Sequence, residues 1–126
     1  MPDTLITEAR APRFGHEGTR VVGYASPSRG SRSVSAWRVV LEPGAGSPLH
    51  QVSRDEAFVA IRGEARVELG GEQFTLRAGD GLSVPPHTAF RIINEGTGEF
   101  EAVVSMAADG TAWLEGGEPF TPPWAV

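Results

Sequence analysis

The sequence predicts an all-β fold, a small antiparallel β-barrel or double-stranded β-helix of the jelly-roll type. Three observations support this prediction. Short runs rich in β-branched and aromatic residues are separated by turns, and 16 glycines and 10 prolines punctuate the 126-residue chain. No segment longer than about ten residues keeps the apolar periodicity of a helix. The runs amount to about eight to ten strands, and such a series without intervening helices favours a closed or nearly closed barrel.

The first half of the chain contains three predicted strand regions. The first covers residues 21–24 and is followed by a polar, turn-rich stretch at 26–31. The second covers 34–41, and the Pro and Gly residues within 42–46 break it. The third covers 56–61.

The second half of the chain predicts two consecutive hairpins. Residues 65–69 alternate apolar and charged side chains with the period of a strand. Gly70 and Gly71 then form a two-residue turn signal, because glycine adopts positive φ without strain. Residues 72–76 continue as the returning strand. The remaining predicted strands are 82–84, 88–93 and 100–106.

The length allows one domain with a single core. Within it, residues 1–33 are predicted to form an N-terminal arm with a strand, and residues 34–108 the barrel. Residues 109–126 hold aromatic residues among glycines and prolines. We expect this segment to be an irregular tail that packs on the barrel through its rings.

Composition excludes several classes of function. The net charge is -5 and the eleven arginines are scattered along the chain, so nucleic acid is not an expected partner. The chain has no cysteine, which excludes disulfides, thiolate metal ligands and a cysteine nucleophile. No stretch approaches the roughly 20 apolar residues of a membrane span. We expect a cytoplasmic protein with no membrane partner.

Two spaced motifs carry a family resemblance. Residues 44–63 resemble the first cupin motif, G-x5-H-x-H-x3-E-x6-G, and residues 79–94 resemble the second, G-x5-P-x-G-x2-H-x3-N. The matching residues are Gly44, His50, Glu56, Gly63, Gly79, Pro85 and Asn94. The chain therefore resembles a small single-domain cupin with an RmlC-like jelly roll.

The resemblance implies a metal site that this sequence holds only in part. Cupins of this pattern bring three His and one carboxylate onto one cation, and such N/O ligation suits Fe, Mn, Ni, Cu or Zn. Of the four positions, His50 and Glu56 remain. Val52 and Phe90 occupy the other two, and His87 stands where the motif has a turn glycine. The expectation is that no cofactor is bound, and the alternative is a divalent Fe, Mn, Ni or Zn held by His50 and Glu56.

Without a metal, the two remaining donors predict proton-transfer chemistry. Side chains that could share one cation could also form a hydrogen-bonded His-carboxylate dyad, so His50 and Glu56 are the predicted acid and base. Alternatively, His50 is a buried histidine bonded to Glu56 with no chemistry. A pocket beside them would be lined by Val52, Phe58, Phe90, Trp37 and, at the rim, His87, and it would accept a ring or an apolar chain.

Three functions therefore stay open at this point. The first is a non-redox enzyme, an isomerase, cyclase or lyase acting on a partly apolar metabolite. The second is a non-catalytic ligand-binding or sensor module. The third is a metal-dependent enzyme in which water, substrate, His87 or His16 completes the incomplete site. In each case the partner is a small molecule, and we expect a homodimer in which N-terminal strands cover a sheet edge.

Overall fold

The computed structural model describes residues 5–126 and confirms the all-β jelly roll. The first four residues of the predicted N-terminal arm lie outside the described residues. Two single-turn 3-10 helices, Pro27–Arg29 and Pro123–Ala125, accompany the strands. The strands are β1 Arg13–His16, β2 Thr19–Ala25, β3 Val34–Leu41, β4 His50–Val52, β5 Glu56–Arg62, β6 Glu64–Leu69, β7 Glu72–Arg77, β8 Gly81–Val84, β9 Phe90–Ile93, β10 Phe100–Ala107 and β11 Ala112–Leu114.

The strands form two antiparallel sheets that pack face to face. One sheet has six strands in the order β1-β2-β3-β10-β5-β8, and the other has five in the order β11-β4-β9-β6-β7. Strand β5 illustrates why the sequence folds this way. Glu56, Phe58 and Ala60 are buried on its inner face, whereas Val59 and Ile61 are exposed on its outer face. This period-two alternation directs one side of each strand into the core.

The predicted turn at Gly70 and Gly71 is confirmed. Their φ angles are +57° and +87°, and Leu69 pairs directly with Glu72 across the β6–β7 hairpin. Two consecutive residues with positive φ are the requirement of a type I′ turn, whose twist matches that of paired strands.

Three short strands were absent from the sequence prediction: β1, β4 and β11. Strands β4 and β11 have three residues each, which is too short for a period-two pattern, and β1 contains a glycine. The expectation of an irregular tail was therefore wrong for residues 112–114. Ala112 in β11 pairs with Val52 in β4, and it also exchanges two backbone hydrogen bonds with Phe120.

Asn94 ties the end of β9 to two other segments. It is fully buried, and its side-chain amide donates hydrogen bonds to the carbonyls of Leu41 and Gly98. Its side-chain oxygen accepts a hydrogen bond from the N–H of Gly96. The motif asparagine thus fixes β9 against β3, and β9 carries Phe90.

Strand β1 is an edge of the six-stranded sheet. Pairing of N-terminal strands across a homodimer interface stays a prediction. In the part of the chain that the structure describes, no helix has the length and apolar character needed to cross a membrane.

Candidate active site

The two sheets enclose a cavity of about 220 Å³ with almost entirely apolar walls. It opens to solvent at one end, where exposed residues join the lining. Buried lining residues come from both sheets, and they include Val21, Trp37, Leu41, Val52, Phe90 and Ile92.

Four predicted pocket residues line this cavity: Val52, Phe58, Phe90 and Trp37. Phe58 and Phe90 face each other from opposite sheets in an edge-to-face arrangement, with ring centroids 6.2 Å apart. Trp37 faces inward on β3, so strand alternation directs Arg38 outward, where it donates a hydrogen bond to Glu101.

His87 does not belong to the cavity lining, so its predicted place in the pocket was wrong. It is exposed, and its ring packs against Trp113 with centroids 5.3 Å apart. Its φ is +57°. The backbone makes the left-handed turn for which the motif has glycine, and the side chain lies outside the cavity lining.

His50 lies on the cavity wall at the start of β4. Its Nδ1 lies 2.8 Å from the carbonyl oxygen of Pro48, which can only accept, so Nδ1 carries the proton. Burial lowers the pKa of the imidazole more than this hydrogen bond raises it. At neutral pH His50 is therefore uncharged, with Nε2 as a proton acceptor. The imidazole also packs on Phe90, with ring centroids 4.2 Å apart.

Glu56 faces the same cavity from β5 on the other sheet. The residue is only 7% exposed. Burial raises the pKa of the Glu56 carboxyl to about 8, with no opposing charge or hydrogen bond contributing. The carboxyl is thus protonated at pH 7 and can donate a proton.

The predicted hydrogen bond between His50 and Glu56 is not formed. The pKa of each side chain responds to its own surroundings, and neither is shifted by the other. The Nδ1 proton of His50 is donated to Pro48 instead, and the two residues lie on opposing sheets. The two side chains are separate titratable groups on two walls of one cavity.

The C-terminal tail contributes lining that the sequence prediction missed. Leu114 and Phe120 lie at the open end, 45% and 49% exposed, and Trp124 lies deeper. His16, at the end of β1, also lies at the opening and is exposed. The aromatic residues of the tail were recognised as surface anchors. The structure shows that two of them, Phe120 and Trp124, also line the cavity.

Arg29 fixes the tail in this position. Its guanidinium donates hydrogen bonds to the carbonyl of Trp124 at 2.7 Å and to that of Tyr24 at 3.3 Å. The hydroxyl of Ser35 donates to the carbonyl of Ala125. Trp124 in turn packs against Trp37, with ring centroids 6.3 Å apart. The tail is therefore held to β2 and β3 by both polar and aromatic contacts.

A family model described as "Cupin domain" matches residues 37–106 of the chain. The chain belongs to the cupin family. The matched region runs from β3 to β10 and includes both motifs. No curated protein matches the chain significantly.

Solved cupin structures share the fold at low sequence identity. An RmlC-like cupin from Shewanella frigidimarina superposes with a TM-score of 0.71 at 16% identity, covering 81% of this chain and 87% of that protein. KdgF from Halomonas sp. gives 0.69 at 21% identity, covering 80% and 91%. The polyketide cyclase RemF from Streptomyces resistomycificus gives 0.72 at 11% identity, covering 82% and 78%. These likenesses establish the fold alone.

The donor set of this cupin does not fit the metal site of the family motif. Within residues 5–126, no three side chains of His, Cys, Asp or Glu converge as metal ligands. Catalytic zinc sites use three protein ligands. Here the apolar side chains of Val52 and Phe90 replace two donors, and the Phe90 ring packs directly on the imidazole of His50.

Proposed function

We propose that this cupin binds a small, partly apolar metabolite and catalyses a non-redox proton transfer on it, of the isomerase, cyclase or lyase type. One observation carries the proposal: a buried carboxyl with a pKa of about 8 and an uncharged imidazole line the same apolar cavity from opposite sheets. Active sites commonly hold titratable groups whose surroundings shift their pKa values in this way.

For an isomerase, the transfer would use both groups at once. Nε2 of His50 takes a proton from a carbon next to a substrate carbonyl, and the electron pair of the broken C–H bond forms a C=C bond. The π electrons of the carbonyl move onto oxygen, which takes the proton of Glu56. In the second half, the carboxylate of Glu56 takes its proton back and the carbonyl reforms. In a substrate that carries a C=C bond one carbon further on, the displaced electron pair reaches the far carbon of that bond, which takes the proton of the imidazolium, so the double bond has moved. No electrons leave the substrate, so no redox cofactor is required.

A binding or sensor module is the second candidate. It is favoured by the cavity wall, which is almost entirely apolar and therefore suited to holding a ligand without chemistry. RemF, which shares the fold, is named a polyketide cyclase, but at 11% identity that name does not decide between an enzyme and a binding module for this chain.

A turnover screen on metabolite extract separates the two candidates. Wild type, Glu56→Gln and Glu72→Gln are each incubated with the extract in D2O, and mass spectrometry follows both consumption and deuterium uptake. Glu72 is exposed on β7, so it serves as the matched control. We expect one metabolite to change with wild type and Glu72→Gln, and at a rate lower by about 100-fold or more with Glu56→Gln. Extracts unchanged by all three proteins would favour the sensor, and full turnover by Glu56→Gln would contradict the role of Glu56.

We further propose that the activity requires no resident metal. The support is the donor set, in which only His50 and Glu56 of the four motif positions have ligating side chains. Metal analysis of the purified protein tests this. Stoichiometric Fe, Mn, Ni or Zn that disappears with His50→Ala would overturn it.

A further inference from the structure

The cavity of this cupin has the dimensions of a small ring system. An engineered apolar cavity of about 150 Å³ takes up benzene, whereas drug-sized ligands occupy about 300–1,000 Å³. The volume here, about 220 Å³, lies between these values. Aromatic side chains also form much of the wall, namely Trp37, Phe58, Phe90 and Phe100. One or two fused rings fit both the volume and the surface.

The cavity lacks a cation that could hold an anionic ligand. The sequence has no lysine, and all eleven arginines lie within residues 5–126 but outside the lining. Several are occupied elsewhere: Arg29 holds the tail, and Arg38 and Arg62 pair with Glu101 on the outer side of the sheet. A carboxylate or phosphate entering the cavity would lose its hydration without gaining a charged partner.

The ionisable groups of the lining also supply no cation for an anionic ligand. Glu56 is uncharged when protonated and negative when ionised, so it offers an anionic ligand at most a hydrogen bond and no positive charge. The imidazole of His50 already uses its Nδ1–H for Pro48 and is packed on Phe90. His16 is exposed at the opening, where water screens any charge on it. The cavity thus offers hydrogen bonds from the side chains of Glu56, His50, Ser47 and Thr19 and no net positive charge.

Building on the proposed function, we propose that the substrate is an uncharged compound of one or two rings with a single oxygen function, and that the cavity rejects carboxylates and phosphates. The rings lie against the aromatic wall. The oxygen lies within reach of Glu56, and the neighbouring carbon faces His50.

Two probes of equal shape test the preference: 2-naphthamide, which is uncharged, and 2-naphthoate, which is anionic at pH 7. Affinity is measured by calorimetry, and the site is identified from the methyl signal of 13C-labelled Met106, which lines the cavity. We expect the amide to shift the Met106 signal and to bind at least about tenfold more tightly than the carboxylate. Equal or tighter binding of naphthoate would overturn the proposal, as would amide binding that leaves Met106 unchanged.

Two further arms check size and location. A three-ring amide, 2-anthramide, should bind at least about tenfold more weakly than the two-ring amide. At the packing density of protein interiors a molecule fills only about three-quarters of a cavity, so the third ring would press on the wall or stay at the opening. Val39→Phe adds a ring on the cavity wall and should weaken naphthamide binding, whereas Val103→Phe, on the exposed outer face of the same sheet, should leave it unchanged. Equal binding of both amides would refute the size limit.

These results are separable from the proposed function. Preferential binding of naphthamide by a protein without turnover would leave the ligand class standing and remove the enzyme. Turnover of a carboxylate that depends on Glu56 would leave proton transfer standing and overturn the ligand class.

Discussion

Exchanging Glu56 for Gln replaces a buried carboxyl by an uncharged side chain of nearly the same shape. The wild-type carboxyl has a pKa of about 8 in the folded protein, against an ordinary value of 4.5. Between these values the unfolded chain releases its proton while the folded protein keeps it. The free energy of unfolding therefore falls as pH rises from about 4.5 to about 8.

The size of this effect follows from the difference between the two pKa values. At about 1.4 kcal/mol for each pH unit, the full loss is at most about 5 kcal/mol, reached near pH 8. Glu56→Gln cannot ionise, so it should match wild type near pH 4.5 and exceed it by several kcal/mol near pH 8.5. Urea titrations at four pH values between these limits measure the difference. A variant no more stable than wild type at pH 8.5 would refute the assignment of Glu56 as a buried, protonated acid.

Three other substitutions give sharp expectations. Arg29→Met removes one hydrogen bond to the tail, at Trp124, and one to Tyr24 in β2, and should lower the free energy of unfolding by about 1–3 kcal/mol in urea titrations. Arg32→Met, at an exposed neighbour, should change it by less than about 0.5 kcal/mol, and equal effects would contradict the role of Arg29. Gly71→Ala should cost about 1 kcal/mol because φ is +87°, whereas Gly98→Ala, with equally open surroundings and no such angle, should cost nothing in thermal denaturation. His87→Ala should bind 2-naphthamide with an affinity within about twofold of wild type, since His87 lies outside the lining. A tenfold loss of affinity would show that His87 contacts the ligand after all.

The fold could be predicted largely from local patterns. Strand β5 and the β6–β7 hairpin are readable because alternation and the turn at Gly70 and Gly71 act over a few neighbouring residues. Strand β11 was not readable, because its three residues become a strand only by pairing with β4, some 60 positions earlier. Long-range pairing leaves no periodic signal in so short a segment.

The candidate site, like the fold, could be predicted from the sequence only in part. The motif spacing predicted that His50 and Glu56 belong together, and both line one cavity. The spacing could not predict which partner each side chain takes. The bond from His50 to Pro48 depends on the path of the loop before β4, and the packing of His87 on Trp113 depends on the pairing of β11 with β4.

The most direct test of the account is the titration of Glu56 itself. Carboxyl carbon signals of 13C-glutamate-labelled protein are followed by NMR from pH 4 to pH 9.5, and the Glu56 signal is assigned by its absence from Glu56→Gln. A midpoint near 8 is expected, which would make Glu56 a protonated acid at neutral pH inside the apolar cavity. A midpoint below about 5, in the range of ordinary glutamates, would contradict the proposed proton donor.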